Sequence, residues 1–532
     1  MINPVRGTRG MAAAPHALAS QSALAVMREG GNAIEAMIAA AATIAVVYPH
    51  MNSIGGDAFW LIRVPGQPVR GLDACGAAAA LASRDWYREQ KITQTIPFRG
   101  GVAANTVAGT ISGWDAALQF SREQGGRLPL SRLLADAIDY ARRGAPVTRS
   151  QYQNTVGKRD ELQHIPGFAD LFLPAGEAPA IGARFLQPAL AATLERMAQA
   201  GLDDFYRGDL ARLNAGTLEK HGSPVRLSDL QAHRAQWRAP LSLAHSLGRV
   251  YNMPPPTQGA VSLMILGILD RMPLRAMDPL GADFVHAAVE ATKQAFRIRD
   301  RHITDPAYMR VDPASFLQAD ALDAMRASID PQRAAPWGQG KGPADTIWMG
   351  TVDGNGIAVS FIQSVYHEFG SGVVLDGTGV TWQNRGCSFS LDPGALNTLE
   401  PGRKPFHTLN PAMAELSDGR VMVYGNMGGD GQPQSQSAVF SRTMLFGMDP
   451  QAAISAPRWL LGRTWGRPSD TLKLESRFPA PVIDTLRERG HDVEVMSEFD
   501  EAMGHAQAIV RHPNGILEGG ADPRSDGVVA AF

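Results

Sequence analysis

The sequence changes character near Gly338, and that change constrains the possible folds more than any other feature. Before it, segments rich in Ala, Met and Ile predict helices at 17–28, 33–47, 130–143, 188–200 and 284–299. Beyond it, short runs bounded by glycines predict strands at 348–353, 357–364, 373–382, 421–424, 492–495 and 506–511. A hairpin around Asp418-Gly419 and a helix at 435–448 complete the pattern. Helices and strands do not alternate regularly, which favours an α+β fold of stacked layers over a doubly wound sheet.

The junction between the two parts carries a candidate nucleophile. Residues 339–344 are small, polar and turn-prone, and they predict an exposed linker that ends at Asp345-Thr346. If the chain is cut there, Thr346 becomes a new N-terminus. A free α-amino group has a pKa near 8, low enough to act as the base for the hydroxyl of the same residue. A Thr that merely opens a strand has the same sequence pattern, so the spacing alone leaves both interpretations open.

Charge and composition exclude several classes of protein. Lys plus Arg number 50 and Asp plus Glu number 52, and this net charge of −2 without a basic block argues against a nucleic-acid partner. No run reaches about 20 uninterrupted apolar residues, so no membrane span is predicted. Two cysteines, Cys75 and Cys387, are too few for a disulfide framework and suit a reducing compartment. The first residues resemble no secretory signal, so we expect a cytoplasmic protein.

A glycine-rich run at 425–431 follows one of the predicted strands. Backbone N–H groups in such a turn can point at one oxygen, which suits an oxyanion hole. The run lacks the Lys-Ser or Lys-Thr of a phosphate-binding loop, and it does not fit the dinucleotide fingerprint. A tight turn between a strand and a helix is the alternative interpretation.

Two polar clusters add groups that can bind a carboxylate or orient a base. They lie at 364–368, which includes Ser364 and Tyr366, and at 403–411, which includes His407 and Thr408. Solvated loop residues would look the same. The histidines are not at metal-ligand spacings, so we expect no metal, and nothing in the sequence calls for an organic cofactor.

Motifs along nearly the whole chain resemble those of the γ-glutamyltranspeptidase family. They lie at 30–36, 48–50, 53–57, 105–109, 237–241, 254–259, 286–306 and 521–527. The resemblance implies the N-terminal nucleophile hydrolase fold, a four-layer αββα sandwich. It also implies a chain that cuts itself between Asp345 and Thr346 into a large subunit, residues 1–345, and a small subunit, residues 346–532. The two pieces form one globular heterodimer in the family, and pairing of such heterodimers is common there.

The resemblance also implies roles for single residues. The family's nucleophile falls on Thr346, its supporting hydroxyl falls on Ser364, and its oxyanion glycines fall on Gly428 and Gly429. Other positions depart from the family pattern. Cys75 stands where an Arg grips the substrate α-carboxylate, and a thiol cannot supply that charged contact of about 1.5–3 kcal/mol. The remaining substrate-binding positions carry Tyr366, Arg385, Ser388, His407 and Thr408, with Ser388 in place of the acidic residue that holds the α-amino group.

These departures predict a site without a carboxylate for an α-ammonium group. Arg385, His407 and either Arg403 or Lys404 are expected to meet an anion instead. Such sequences are similar to the non-glutamyl branch of the family, which includes oxamate amidohydrolase and the cephalosporin (glutaryl) acylases. We therefore expect an amidohydrolase acting on a small anionic amide such as oxamate, through an acyl-enzyme on Thr346.

Three alternatives stay open from the sequence alone. The chain is a γ-glutamyltranspeptidase or glutathione hydrolase with a rearranged pocket, or it is a glutaryl-type acylase. The third alternative is a processed but catalytically idle binding protein, in which residues 347–349 crowd the nucleophile.

Overall fold

The computed structural model describes residues 3–338, 345–462 and 469–532, so the predicted linker at 339–344 lies outside the described residues. Its strands are β1 Val5–Gly7, β2 Gly10–Ala14, β3 Asp57–Arg63, β4 Arg70–Ala74, β5 Ala145–Pro146, β6 Arg184–Phe185, β7 Gln236–Arg238, β8 Leu241–His245, β9 Gly248–Asn252, β10 Asp345–Asp353, β11 Ala358–Tyr366, β12 Ala412–Leu416, β13 Val421–Asn426, β14 Trp459–Leu461, β15 Leu472–Glu475, β16 Val493–Met496, β17 Ala506–Arg511, β18 Leu517–Ala521 and β19 Val528–Ala531. Its α-helices are α1 Ala17–Arg28, α2 Ala33–Val47, α3 Arg84–Glu89, α4 Thr110–Glu123, α5 Leu130–Arg143, α6 Arg149–Leu162, α7 Phe168–Phe172, α8 Pro188–Ala200, α9 Asp204–Arg207, α10 Asp209–Lys220, α11 Leu227–Ala232, α12 Gly259–Leu269, α13 Ala282–His302, α14 Ala319–Ala327, α15 Gly431–Met444, α16 Pro450–Ser455 and α17 Ala480–Glu488.

Two seven-stranded antiparallel sheets form the centre of the molecule. The first sheet has the order β1-β18-β17-β13-β12-β9-β8, and the second has the order β19-β2-β10-β11-β3-β4-β7. An apolar core joins their facing sides. Helices α1, α2 and α4 pack on the outer face of the second sheet, and α12, α13 and α15 lie in the layer on the first. The chain is therefore an αββα sandwich, as the resemblance implies.

Side-chain alternation along β10 shows how one strand joins two cores. Ile347 and Met349 pack in the core between the second sheet and its helices, whereas Trp348 and Val352 pack in the core between the sheets. Each such buried side chain contributes about 1.5–3 kcal/mol through burial of apolar surface. Because side chains alternate across a strand, Thr346 belongs to the inter-sheet face with Trp348.

A capping box fixes the start of α2 and ties it to the end of β10. The Asn32 side chain accepts hydrogen bonds from the amides of Ile34 and Glu35, and the Glu35 carboxylate accepts one from the Asn32 amide at 3.1 Å. The Asp353 Oδ2 atom accepts a hydrogen bond from the Ala33 amide at 2.9 Å. The fully buried helix thus holds the strand that begins at the candidate nucleophile.

Each sheet takes strands from both sides of residue 345. In the second sheet β10 pairs with β2 from the first part of the chain and with β11 from the second part. In the first sheet β12 pairs with β9 in the same way. Separating the two parts would break whole ladders of backbone hydrogen bonds, so one severed peptide bond near residue 345 would leave the sandwich assembled.

Most predicted elements are confirmed, and two differ. The run 373–382 is a loop held by a bridge between Val374 and Thr381, because Gly377 and Gly379 adopt φ of 78° and 67° and reverse the chain there. The helix predicted at 435–448 begins at Gly431 and ends at Met444, four residues earlier at each end. Among the helices of the described chain, none combines the length and the apolar character needed to cross a membrane.

The Trp348 side chain leaves room only for a glycine at the facing position of the other sheet. A Cβ atom at Gly425 of β13 would overlap the Trp348 indole, whose Nε1 donates to Ser360 Oγ at 2.9 Å and so cannot easily move. Gly425→Ala should therefore destabilise the protein by about 1–3 kcal/mol, seen as a lower melting temperature.

The matched control is Gly216→Ala in α10, where a Cβ meets no atom within 4 Å. This change should leave the melting temperature unchanged or raise it, because Ala favours a helix over Gly by up to about 1 kcal/mol. Equal effects of the two substitutions would contradict the assigned contact between the sheets.

Candidate active site

A cavity of about 400 Å³ lies where β11, the 385–408 loops and the start of α15 meet. Its wall includes three residues predicted to bind substrate, Tyr366, Ser388 and Thr408. Two carboxylates, Asp300 and Asp430, belong to the same wall. A volume of this size falls within the range of small-molecule sites in proteins.

Thr346 does not line this cavity in the intact chain. The Thr346 side chain is fully buried. Asp345 pairs with Tyr366 and Ile347 pairs with Gln363, so β11 carries one extra residue opposite Thr346. Such a β-bulge re-aims side chains and is frequent next to active sites. The strand partner of Asp345, Tyr366, is itself part of the cavity wall.

The bulge brings Ser364 and Tyr366 into an unusual local arrangement. Ser364 Oγ accepts a hydrogen bond from the Tyr366 amide at 2.8 Å. Tyr366 has φ of 86°, a left-handed conformation that costs a residue with a side chain about 1–3 kcal/mol. The Tyr366 ring lies 3.9 Å from the Arg385 guanidinium carbon, a cation–π contact. The strained backbone of Tyr366 thus lies where the second sheet meets the cavity.

The two predicted oxyanion glycines form the turn between β13 and α15. Gly428 and Gly429 have φ of 124° and 52°, which only glycine adopts at low cost. Within the part of the chain that the structure describes, neither amide donates to a carbonyl or side-chain acceptor. Gln258 Nε2 donates to the carbonyls of Gly429 and Thr408, each at 2.8 Å, and so ties the turn to the cavity wall. Two free N–H donors are therefore available beside the cavity.

Arg385 is a buried cation without a counter-ion. Arg385 is 1% exposed, and none of the described carboxylates lies within ion-pair distance of its guanidinium. Nη1 approaches Thr408 Oγ1 at 3.5 Å, and Nη2 has no hydrogen-bond partner within the described ranges. Burial lowers the pKa of Arg385 to about 10, so the guanidinium is still charged at neutral pH. An uncompensated buried charge is costly, and an anion in the neighbouring cavity would offset that cost.

His407 supports the site without lining the cavity. Its ring is fully buried, with Nε2 3.4 Å from Asp57 Oδ2. Burial, together with the positive charges of Arg385 and Lys404, lowers the pKa of His407 well below its ordinary value. The lowered pKa favours the neutral imidazole, so His407 does not add a second positive charge beside Arg385.

Asp57 is a carboxyl group kept close to neutral. Its Oδ1 accepts hydrogen bonds from Gly76 N, Gly109 N and Gln383 Nε2. Burial raises the pKa of Asp57 to about 7, although these hydrogen bonds and the nearby Arg385 charge act in the opposite direction. Asp57 does not lie within ion-pair distance of Arg385, so it is not the counter-ion of that guanidinium.

Two other sequence expectations about charge are corrected. Lys404 Nζ lies 2.6 Å from Asp73 Oδ2, so its charge is already paired. Arg403 donates to the carbonyls of Thr398 and Leu396, and it therefore braces a loop. Lys404 is therefore not free to meet an anionic substrate, and Arg403 does not line the cavity.

The cavity also has two carboxylates that the sequence did not predict. Asp430 and Asp300 both pair with the buried Arg299, at 2.8 Å from Nη1 and 2.9 Å from Nε. Arg299 thereby offsets their charge from behind the wall. The position of Asp430 directly after the two glycines was a sequence signal for this residue. Its pairing with Arg299 joins residues 131 positions apart, so no local sequence pattern predicts it.

Comparisons with known proteins identify the family of the chain. The family described as gamma-glutamyltranspeptidase matches residues 19–532. The chain belongs to this family. It is 61% identical to a Klebsiella pneumoniae protein named oxamate amidohydrolase proenzyme, over 99% of both chains. It is 40% identical to a Bacillus subtilis protein named glutathione hydrolase-like YwrD proenzyme, over 100% of both.

A solved structure agrees with the fold over the whole chain. The cephalosporin acylase from Bacillus halodurans superimposes with a TM-score of 0.92 at 35% identity, covering 100% of this chain and 97% of that one. The chain is therefore an amide hydrolase of the N-terminal nucleophile class. The alternative of a catalytically idle binding protein is not retained.

The raised pKa of Asp57 gives a pH-dependent prediction for stability. A carboxyl group whose folded pKa of about 7 exceeds the unfolded value near 4 holds more protons in the folded state. Folding stability should therefore fall as pH rises from about 4 to 7, by up to about 4 kcal/mol. Asp57→Asn preserves the shape and should flatten this loss when melting temperatures are compared between pH 5 and pH 8.

The control is Asp418→Asn on the exposed β12–β13 turn. The Arg420 side chain lowers the pKa of Asp418, so its stabilising effect is lost only on further acidification below pH 4. This substitution should leave the pH 5 to 8 profile unchanged. A wild-type profile that Asp57→Asn does not alter would contradict the assignment of a neutral buried carboxyl.

Proposed function

We propose that the chain is a self-processing amidohydrolase that hydrolyses a small anionic amide lacking an α-ammonium group, with oxamate as the first candidate. The observation that carries this proposal is Arg385, a buried cation that lies beside a cavity and has no counter-ion among the described residues. A substrate carboxylate would supply the missing charge. The Klebsiella pneumoniae relative at 61% identity is named for oxamate, which supports the same acyl group.

Maturation is proposed to occur between Asp345 and Thr346. The Thr346 hydroxyl attacks the Asp345 carbonyl carbon, the peptide C–N bond breaks, and an ester forms while the amino group of Thr346 is released. Water then hydrolyses the ester and frees the hydroxyl. Residues 1–345 and 346–532 stay together as a heterodimer because both sheets contain strands from each piece. We place this heterodimer in the cytoplasm, in keeping with the unpaired Cys75 and Cys387.

Turnover uses the same hydroxyl on the substrate. Thr346 Oγ attacks the amide carbonyl, and the Thr346 amino group takes the hydroxyl proton and passes it to the leaving nitrogen. The amides of Gly428 and Gly429 stabilise the oxyanion, at about 3–4 kcal/mol for each such donor. Ser364 orients the nucleophile, and water releases the acyl group from its ester with Thr346. No step requires a metal or an organic cofactor.

The acyl pocket is proposed to hold the substrate carboxylate next to Arg385. Tyr366 and Thr408 contact this guanidinium and line the cavity, and Ser388 completes the wall. Cys75, at the position of the family's carboxylate-gripping Arg, is buried away from the cavity wall. A γ-glutamyl group would lose its usual partners at both Cys75 and Ser388.

A longer dicarboxylic acyl group, as in a glutaryl-type acylase, is the second candidate. A cavity of about 400 Å³ has more room than oxamate needs, and the whole-chain structural match to a cephalosporin acylase agrees with this candidate. A panel of oxamate, glutaryl and γ-glutamyl amides, with release of the amine or ammonia as readout, distinguishes the candidates. Oxamate should be hydrolysed with the highest kcat/KM.

Thr346→Ala should abolish both processing and turnover. The wild type should give two bands on a denaturing gel, and the variant should give one chain of 56.9 kDa without amidase activity. Thr346→Ser is the matched control, because it keeps the hydroxyl and the amino group and should still be cut. An uncut wild-type chain with full activity would show that Thr346 is not the nucleophile.

Arg385→Ala should raise KM for an anionic amide about ten- to a hundredfold, with a smaller change in kcat. The reason is the loss of a charge-assisted contact worth about 1.5–3 kcal/mol. Arg385→Lys keeps the charge and should restore part of the affinity. γ-Glutamyl-p-nitroanilide should remain a poor substrate of all three proteins, and an unchanged KM in Arg385→Ala would remove this residue from the site.

A further inference from the structure

One carboxylate oxygen in the cavity wall has no partner. Asp430 is 3% exposed, and its Oδ1 accepts a hydrogen bond from Arg299 Nη1 at 2.8 Å. Its Oδ2 is buried and has no hydrogen-bond partner within residues 3–338, 345–462 and 469–532. Leaving a charged acceptor buried and unsatisfied is costly, so such an atom at a cavity points to a missing donor.

The position of Asp430 in the turn suggests what that donor is. Asp430 directly follows Gly428 and Gly429, so two N–H donors and one oxygen acceptor are presented by three successive residues. An amide group carries the complementary pattern, with a carbonyl oxygen that accepts and a nitrogen that donates. A carboxylate or an ester linkage does not carry this pattern, because neither has an N–H.

Arg299 keeps this acceptor in place. The Arg299 side chain is fully buried, lies 4.0 Å from the Phe296 ring centroid, and pairs with both Asp430 and Asp300. Burial favours the neutral form, yet the two carboxylates prevail and hold the pKa of Arg299 above its ordinary value. Because Arg299 occupies Oδ1, only Oδ2 is left for a ligand.

We propose that Asp430 Oδ2 accepts a hydrogen bond from the amide nitrogen of the substrate and thereby makes the site selective for amides over esters. This inference rests on the proposed amidohydrolase function and adds the residue that recognises the scissile group. The carbonyl oxygen lies on the two glycine amides and the nitrogen lies on Asp430. When the C–N bond breaks, the proton for the leaving nitrogen comes from the Thr346 amino group and not from Asp430.

Asp430→Asn tests the contact with little change in shape. Arg299 donates to Oδ1, so the Asn oxygen must face Arg299 and its NH₂ group replaces Oδ2. The N–H of the substrate amide and the NH₂ group of the variant side chain would then both be donors, so no hydrogen bond could form between them. The variant and the wild type are assayed with oxamate and with monomethyl oxalate, which share the same carboxylate and differ in the scissile group.

We expect kcat/KM for oxamate to fall about ten- to a hundredfold in Asp430→Asn, while the value for monomethyl oxalate changes less than about threefold. Asp300→Asn is the matched control, because it removes the charge of the other carboxylate that pairs with Arg299 and should leave the amide-to-ester ratio unchanged. Subunit bands on a denaturing gel normalise each rate to the amount of processed enzyme.

Other outcomes overturn the inference in distinguishable ways. Equal loss of both substrates in Asp430→Asn assigns Asp430 a structural role only. Selective loss of a γ-glutamyl substrate, with oxamate unaffected, shows that Asp430 binds an ammonium group. A wild type inactive on oxamate and on its ester overturns the proposed function itself.

A second measurement needs no variant and applies if Asp430→Asn fails to fold or to mature. The wild type is compared on N-methyloxamate, which keeps one N–H, and on N,N-dimethyloxamate, which has none. The N,N-dimethyl compound should be hydrolysed at least about tenfold less efficiently, and equal rates would overturn the assignment of Asp430.

Discussion

Strand β10 is held on both edges and both faces, and the proposed chemistry depends on that constraint. It pairs with β2 on one side and with β11 on the other, and its side chains enter two separate apolar cores. The start of the strand pairs with β11 only, and residues 350–353, which β2 and β11 hold on both edges, anchor it when the preceding peptide bond is cut. The fold thus fixes a hydroxyl and a new amino group before any substrate binds, which is the preorganisation that catalysis by proximity requires.

Charge is distributed unevenly around the cavity, and this asymmetry gives the site its polarity. Arg299 pairs with two carboxylates, whereas Arg385 pairs with none of those in the part of the chain that the structure describes. Asp57 and His407 lie nearby, but burial favours the neutral form of each. One buried positive charge is therefore left for the ligand at one side of the cavity. On the other side, Arg299 balances the charge of Asp430, but Asp430 Oδ2 has no hydrogen-bond partner among the described residues.

Local sequence signals determined much of the fold and part of the site. The helices at 17–28 and 33–47 were predicted to the residue, because Gly30-Gly31-Asn32 supplies both a stop and a capping residue. The family motifs placed Tyr366, Ser388 and Thr408, all of which line the cavity. The loop at 373–382 was missed because two glycines interrupt a run that otherwise looks like a strand.

Features that depend on distant residues could not be predicted from the sequence. The pairing of Arg299 with Asp430 joins two helices, and the contact between Trp348 and Gly425 joins two sheets. The pKa of Asp57 depends on burial by several segments and on donors from Gly76, Gly109 and Gln383. Whether Lys404 is a free cation could be judged only from the fold, which places Asp73 beside it. Motifs give the residue types of a site, whereas the number of charges left free depends on the completed fold.

A very small substrate makes every contact in such a site important. An anion such as oxamate has about six non-hydrogen atoms, so its binding free energy is limited to about 9 kcal/mol by the best known efficiency per atom. Only two groups on it can be recognised, the carboxylate and the amide. Arg385 is placed for the first, and the turn 428–430 offers two donors and one acceptor for the second. With so few atoms, selectivity must come from contacts at the scissile group itself, where an interaction that strengthens in the transition state raises the rate as well as the affinity.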